Sequence, residues 1–152
     1  MSAQEEVEAV LESWIQGLEA MDPEALSPLF DRDEGVVSWG VGVDERYVGW
    51  GPYETHVRQT ASLLTKNRLV ASGVQVAMSA SQDVAWFNQV RDYVGTLADG
   101  SEIRLRGVRV TGVLEKRRGR WVVVHFHHSL GFDLSAPRPA TSQAAPLEQP
   151  PC

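Results

Sequence analysis

The 152-residue sequence predicts an α+β domain, with N-terminal helices packed on a curved antiparallel sheet. Three features predict it. Apolar residues recur at three- and four-residue steps in the first twenty positions. A second helical pattern follows a short β-like stretch in the middle of the chain. From Leu69 onward the pattern alternates, with turn residues between long strands. Apolar content of 43% and charged content of 22% are ordinary for one globular domain of this length.

The first helix is expected from Ala3 to Ala20. Val7, Val10, Leu11, Trp14, Ile15 and Leu18 form one apolar stripe. Glu5, Glu6 and Glu8 suit the positive end of its dipole. Asp22 is a good N-cap and Pro23 a good first residue for a short second helix, which Pro28 distorts or ends. "DRDEG" breaks the chain, and "VVSWGVGVDERYVGW" reads as two short strands about a Gly-containing turn. A third helix starts near Pro52, with Val57, Ala61 and Leu64 at helical spacing. "LVASGVQVAMSA" is strand-like, and Gly73 marks a bulge. Residues 84–132 read as a three-strand meander. Its turns lie at Asp99-Gly100 and at Arg117, Arg118 and Gly119. Gly95, Gly107 and Gly112 offer places to bend. The domain is expected over 1–134. Residues 135–152, rich in Pro and Ala, are expected to be a disordered tail.

Net charge is −6. Seven of the fourteen basic residues lie between Arg104 and Arg120. The acidic whole and the turn-like "EKRRGR" make this a solvated hairpin, so no nucleic acid is expected as a partner. No apolar run approaches the roughly 20 residues that span a bilayer. The acidic, amphipathic N-terminus does not read as a signal peptide. No membrane partner is expected, and a cytoplasmic address is. The single cysteine, Cys152, leaves no disulfide within one chain.

Alternation assigns the faces of the meander. The more uniformly apolar set is Val84, Trp86, Val108, Val110, Val122, Val124 and Phe126. These are expected to face the helices, with Asn88 and His128 as polar exceptions. Phe87, Arg109, Trp121, Val123, His125 and His127 are assigned to the sheet back, a surface for a homodimer.

Two stretches carry a family likeness. "GVDERYVGWGPYETHVRQT" resembles the "DE-x-x-x-G" segment running into the third helix of the SnoaL-like branch of the nuclear transport factor 2-like superfamily. "TGVLEKRRGRWVVVHFHHS" resembles the terminal hairpin of that family, with its "VHFHxS" ending. The hairpin is also similar to the end of the association domain of calcium/calmodulin-dependent kinase II. The resemblance implies a cone-shaped fold whose sheet wraps the first helix, a hydrophobic pocket at its open end, and dimerisation through the sheet back. It sets Asn88, Gly112 and His128 where kinase association domains carry pocket arginines. It is no guide to activity, since this fold hosts enzymes, binders and oligomerisation modules. The base and oxyanion donors of the superfamily's ketosteroid isomerases find no matching set.

The candidate residues follow. His128 is expected as a general acid or base, with Asn88 beside it as an orienting donor. The alternative is a hydrogen-bonded pair that only solvates the pocket floor. Trp14, Trp39, Trp50 and Trp86 are expected to line the pocket, with Phe126, as an aromatic wall suited to a flat or cyclic apolar ligand; the alternative is that the tryptophans are core. Asp44 and Glu45 either serve the pocket mouth as acid or base or merely shape the turn. His56 is expected to be exposed. A His-x-His pair on one strand face holds a metal only with a third ligand, and none can be named; His125 and His127 therefore read as interface residues. No metal or cofactor is expected. The function read here is binding of an apolar cyclic or polyketide-like small molecule, with cofactor-free isomerisation, dehydration or cyclisation. The alternative is a non-enzymatic oligomerisation or ligand-sensing module.

Overall fold

A computed structural model describes residues 1–32 and 36–135. The tail assigned from the sequence lies outside the described residues from position 136, as do positions 33–35 of the "DRDEG" break.

Helix α1, Ala3–Glu19, starts in a capping box. Glu5 N–H donates to Ser2 Oγ, and Glu5 Oε2 accepts from Ser2 N at 2.6 Å, satisfying two otherwise orphaned amides. Its buried face is Val7, Leu11, Trp14 and Gly17. A Cβ on Gly17 would stand 2.6 Å from Leu26 Cδ2, so glycine lets α2, Pro23–Leu26, approach closely. Asp22 caps α2 by accepting from Glu24 N and Ala25 N. Strands β1, Val37–Trp39, and β2, Arg46–Val48, precede helix α3, Trp50–Leu63. The long strands are β3 (Leu64–Met78), β4 (Val84–Leu97), β5 (Glu102–Arg117) and β6 (Arg120–Ser129). With β1 and β2 they form one six-stranded sheet in the order β2-β1-β6-β5-β4-β3. Only β1 runs parallel to its neighbour β6; the other pairs are antiparallel. β3 starts at Leu64, where the sequence reading still had helix.

Bulges fall at or beside glycine in the two longest strands. Gly73 has φ +62 and sits in the register shift between Ser72 and Gln75, as expected. Gly107 has φ +67, opposite the shift between Arg91 and Tyr93, and its N–H donates to Asp92 Oδ1 at 2.8 Å. Such bulges bend a strand. In the first half of β3, Asn67 Nδ2 donates to Leu18 O, and Leu69 N donates to Glu19. Both bonds tie β3 to the end of α1.

The concave face of the sheet differs from the sequence assignment in two places. On β4 the inward residues are Ala85, Phe87, Gln89 and Arg91, all at most 3% exposed, while Trp86 is 50% exposed. Apolarity misassigned this strand because two polar residues on the inner face satisfy each other. The Gln89 amide oxygen, in the orientation that suits both groups, accepts from Arg91 Nε at 2.9 Å. Gly112 lies opposite Phe87, and a Cβ there would meet its ring at 2.6 Å. On β6, pairing passes from Val113↔His125 to Leu114↔Val123, which leaves Val124 as an extra residue. This bulge changes the phase of alternation. Trp121 and Val123 therefore join the core on one side of it, and Phe126 and His128 face inward on the other. Trp121 Nε1 donates to Glu6 of α1 at 2.8 Å. Phe87, Trp121 and Val123 thus belong to the core and not to the sheet back.

Candidate active site

The wide end of the sheet, the end of α1, helix α3 and the loop 40–45 enclose a cavity of about 510 Å³. Its wall is largely apolar, with Leu18, Met21, Val57, Leu97, Leu105 and Phe126 among the lining residues. Tyr47, Thr60 and Asn67 also line it, and the remaining polar side chains gather at two poles.

The first pole is the buried floor. Tyr93, His128 and Tyr53 line the cavity, and Arg91 lies behind them, 0% exposed. Trp14, also fully buried, stacks its ring under the Arg91 guanidinium at 4.2 Å. Arg91 Nη1 donates to the Tyr93 hydroxyl at 3.4 Å, and that hydroxyl meets His128 Nε2 at 3.2 Å. His128 Nδ1 faces the carbonyl oxygen of Trp39 at 3.4 Å. A carbonyl only accepts, so Nδ1 carries the proton and Nε2 accepts from Tyr93. Burial, and then the Arg91 charge, push the His128 pKa down to about 3. The imidazole is therefore neutral near pH 7, held in one tautomer. Tyr53 accepts from Trp14 Nε1 at 3.1 Å, and among the described residues nothing takes up its own hydroxyl proton. Burial raises its pKa, which keeps that proton in place. Tyr53 can donate to an oxygen placed in the cavity.

The second pole is the rim. His56 on α3 and Glu45 before β2 both line the cavity. His56 Nδ1 lies 3.9 Å from Glu45 Oε1, with side chains 36% and 33% exposed. The helix places His56 one turn beyond Tyr53, and their rings are near parallel at 6.4 Å. Glu45 is fixed by Gly42 N–H, which donates to its Oε2 at 3.0 Å. A carboxylate beside an imidazole is the arrangement that orients a general base.

The structure sorts the residues singled out in the sequence. Glu45, Phe126 and His128 line the cavity; Asp44 does not. Trp14 is core beneath the floor. Trp39 and Trp86 are 41% and 50% exposed. Trp86 shares a register row with Val113 and His125, and Trp39 and Asn88 share one with Thr111 and His127. These rows form the outer face, so Asn88 is on the opposite side of the sheet from His128. Its amide donates to Gln75. His125 and His127 are on the outer face as expected, and His125 Nδ1 donates to Val37 O at 2.5 Å. No group of three His, Cys, Asp or Glu side chains is arranged to hold a metal ion among the described residues. The sequence reading missed Tyr53, His56 and Tyr93. Tyr53, His56, Val57 and Thr60 make one helical stripe facing the cavity, a three-and-four spacing that was visible in the sequence.

The sequence matches the SnoaL-like domain family over residues 7–133. The chain belongs to that family. Solved structures of the nuclear transport factor 2-like fold superpose on this SnoaL-like domain. One is a candidate dehydratase from Streptomyces avermitilis, at TM-score 0.75 and 17% identity, covering 86% of this chain and 98% of that one. Another is a candidate scytalone dehydratase from Novosphingobium aromaticivorans, at TM-score 0.73 and 14% identity, covering 93% and 95%. A third is a candidate calcium/calmodulin-dependent protein kinase II association domain from Xanthomonas campestris, at TM-score 0.69 and 22% identity, covering 82% and 84%. At these identities the likeness is one of fold. No curated protein matches the sequence. No helix among the described residues is long and apolar enough to cross a membrane.

Proposed function

We propose that this SnoaL-like domain binds an apolar cyclic or polyketide-like small molecule and moves a proton on it without a cofactor, in an isomerisation, dehydration or cyclisation. The observation that supports this reading is the Glu45–His56 pair on the rim of an otherwise apolar cavity. Glu45 orients Nδ1–H of His56, leaving Nε2 to take a proton from substrate carbon. The pair tightens from 3.9 Å as ligand excludes water, a common change between free and bound acid–base pairs. Tyr53 donates to the substrate oxygen on which charge develops. His128 does not move a proton in this scheme. It fixes Tyr93, and so shapes the floor. The candidate dehydratases among the similar structures are in keeping with this chemistry.

The experiment is deuterium exchange at the α-carbons of a panel of cyclic ketones and aromatic polyketides, followed by NMR. Wild type should accelerate exchange, and His56→Gln should abolish the acceleration while remaining folded. Equal exchange with both proteins would remove the proton-transfer reading.

We also propose that two copies meet through the outer face of the sheet. Trp86, Val90 and Trp39 are 50%, 38% and 41% exposed there, with Arg109, His125 and His127 beside them in register. An apolar strip of this kind with a polar rim suits a self-complementary contact.

A further inference from the structure

Among the described residues Arg91 has no carboxylate partner. Its guanidinium is fully buried, and its contacts are the Gln89 amide oxygen, the Tyr93 hydroxyl and the face of Trp14. All three are neutral. A buried cation ordinarily has an acid beside it, because desolvation of an uncompensated charge is costly. Among the described residues the carboxylate that lines the cavity is Glu45, at the rim and turned to His56. The cavity therefore has a positive floor and a negative rim, with apolar walls between them. In such low-dielectric surroundings a charge acts well beyond contact distance.

Resting on the ligand-binding reading above, we propose that the cavity selects apolar monocarboxylates and holds them with the carboxylate on the floor, at the Tyr53 hydroxyl. Tyr53 has an uncommitted hydroxyl proton to offer, because it only accepts from Trp14 Nε1. The Tyr93 proton stays directed to His128 Nε2, and Arg91 supplies the compensating charge from behind the floor through the low-dielectric interior. The rim carboxylate Glu45 repels the reverse orientation. The ligand thus enters in one direction, and its far, apolar end lies by His56. Selection is for the anion, since a neutral oxygen leaves the Arg91 charge uncompensated.

The test is calorimetric binding of 2-naphthoate and its neutral counterpart 2-naphthamide to the full chain, for wild type, Arg91→Met and Arg91→Gln. Wild type should bind the acid at least ~10-fold tighter than the amide, the scale of one well-placed charge interaction. Either variant should bring the ratio close to one and leave the amide's affinity within ~3-fold of wild type. Arg91→Gln, which keeps a polar group for Gln89, serves should Arg91→Met fail to fold. Equal binding of acid and amide by wild type would overturn the proposal alone, as would a preference that survives both variants. If neither compound binds, the proposal falls together with the ligand-binding reading. An acid preference that coexists with a failed exchange experiment would keep this proposal and remove the catalytic one.

Discussion

The Arg91 guanidinium lies over the Trp14 ring at 4.2 Å, joining β4, the first strand of the meander, to the first helix inside the core. Among the described residues no acid is stranded when this cation is removed, so its loss differs from breaking a buried ion pair. The change leaves the Gln89 amide oxygen without its donor but also removes the cost of burying an uncompensated charge. Arg91→Met should change unfolding stability by no more than about 1 kcal/mol, measured by urea denaturation. Trp14→Ala should cost about 3–5 kcal/mol in the same measurement. Comparable losses from both would mean that the cation itself holds the core together.

Acid should destabilise the fold through His128. Its pKa is about 3 in the folded chain, against an ordinary 6.5. The unfolded imidazole takes up its proton first as pH falls, so protonation favours unfolding. The stabilisation is complete above about pH 6.5 and is lost progressively toward pH 3. Between pH 7 and pH 4.5 wild type should lose about 2 kcal/mol more than His128→Gln, which cannot titrate. Parallel pH profiles for the two proteins would show that the imidazole is reached by water.

Glu45→Gln should weaken catalysis less than His56→Gln. The amide keeps an acceptor oxygen for Gly42 N–H but loses the charge that stabilises a protonated imidazole. A general base contributes on the order of 10²–10⁴ in rate, so His56→Gln should fall by that range in kcat. Glu45→Gln should fall by about 10-fold or more. An unchanged kcat in Glu45→Gln would detach the carboxylate from the proton transfer.

Gly112→Ala should be among the more damaging small changes. The added methyl would lie 2.5 Å from His125 O and 2.6 Å from the Phe87 ring. One of these neighbours is backbone and cannot rotate away. Overpacking of this kind costs about 1–3 kcal/mol, read as a drop in thermal midpoint. A stability equal to wild type would show that β5 and β6 slide apart easily.

Trp86→Glu combined with Val90→Glu should give a folded monomer by sedimentation equilibrium, with native far-ultraviolet circular dichroism. Both side chains are on the outer face and half-exposed in one chain, so charge there leaves the core untouched. A dimer that persists would place the contact elsewhere.

The parts of this fold readable from sequence are those where a local rule and the tertiary packing agree. The stripe on α1, the Asp22 cap and the Gly73 bulge are of this kind. Alternation failed on β4 because Gln89 and Arg91 satisfy each other indoors, a pairing that no hydropathy pattern shows. It failed on β6 because one extra residue, Val124, reverses the phase halfway along. Of the candidate site, His128, Glu45 and Phe126 were legible as pocket residues. Asn88 went to the wrong side with the rest of β4. His56 was passed over because a histidine near a helix start usually faces solvent; only the fold brings Glu45 to it.

The rim of the cavity has a dependence on folding order. β1 is docked on β6 by imidazoles from both faces of one strand. His125 donates to Val37 O across 88 positions, and His128 to Trp39 O across 89. The loop that carries Glu45 leaves directly from Trp39. Hairpins such as β4–β5 and β5–β6 close between near neighbours in sequence, whereas β1 must wait for a strand that is made last. Loop-closure entropy delays such distant contacts. During synthesis the meander can therefore zip up strand by strand, while the mouth of the cavity acquires its shape only at the final step.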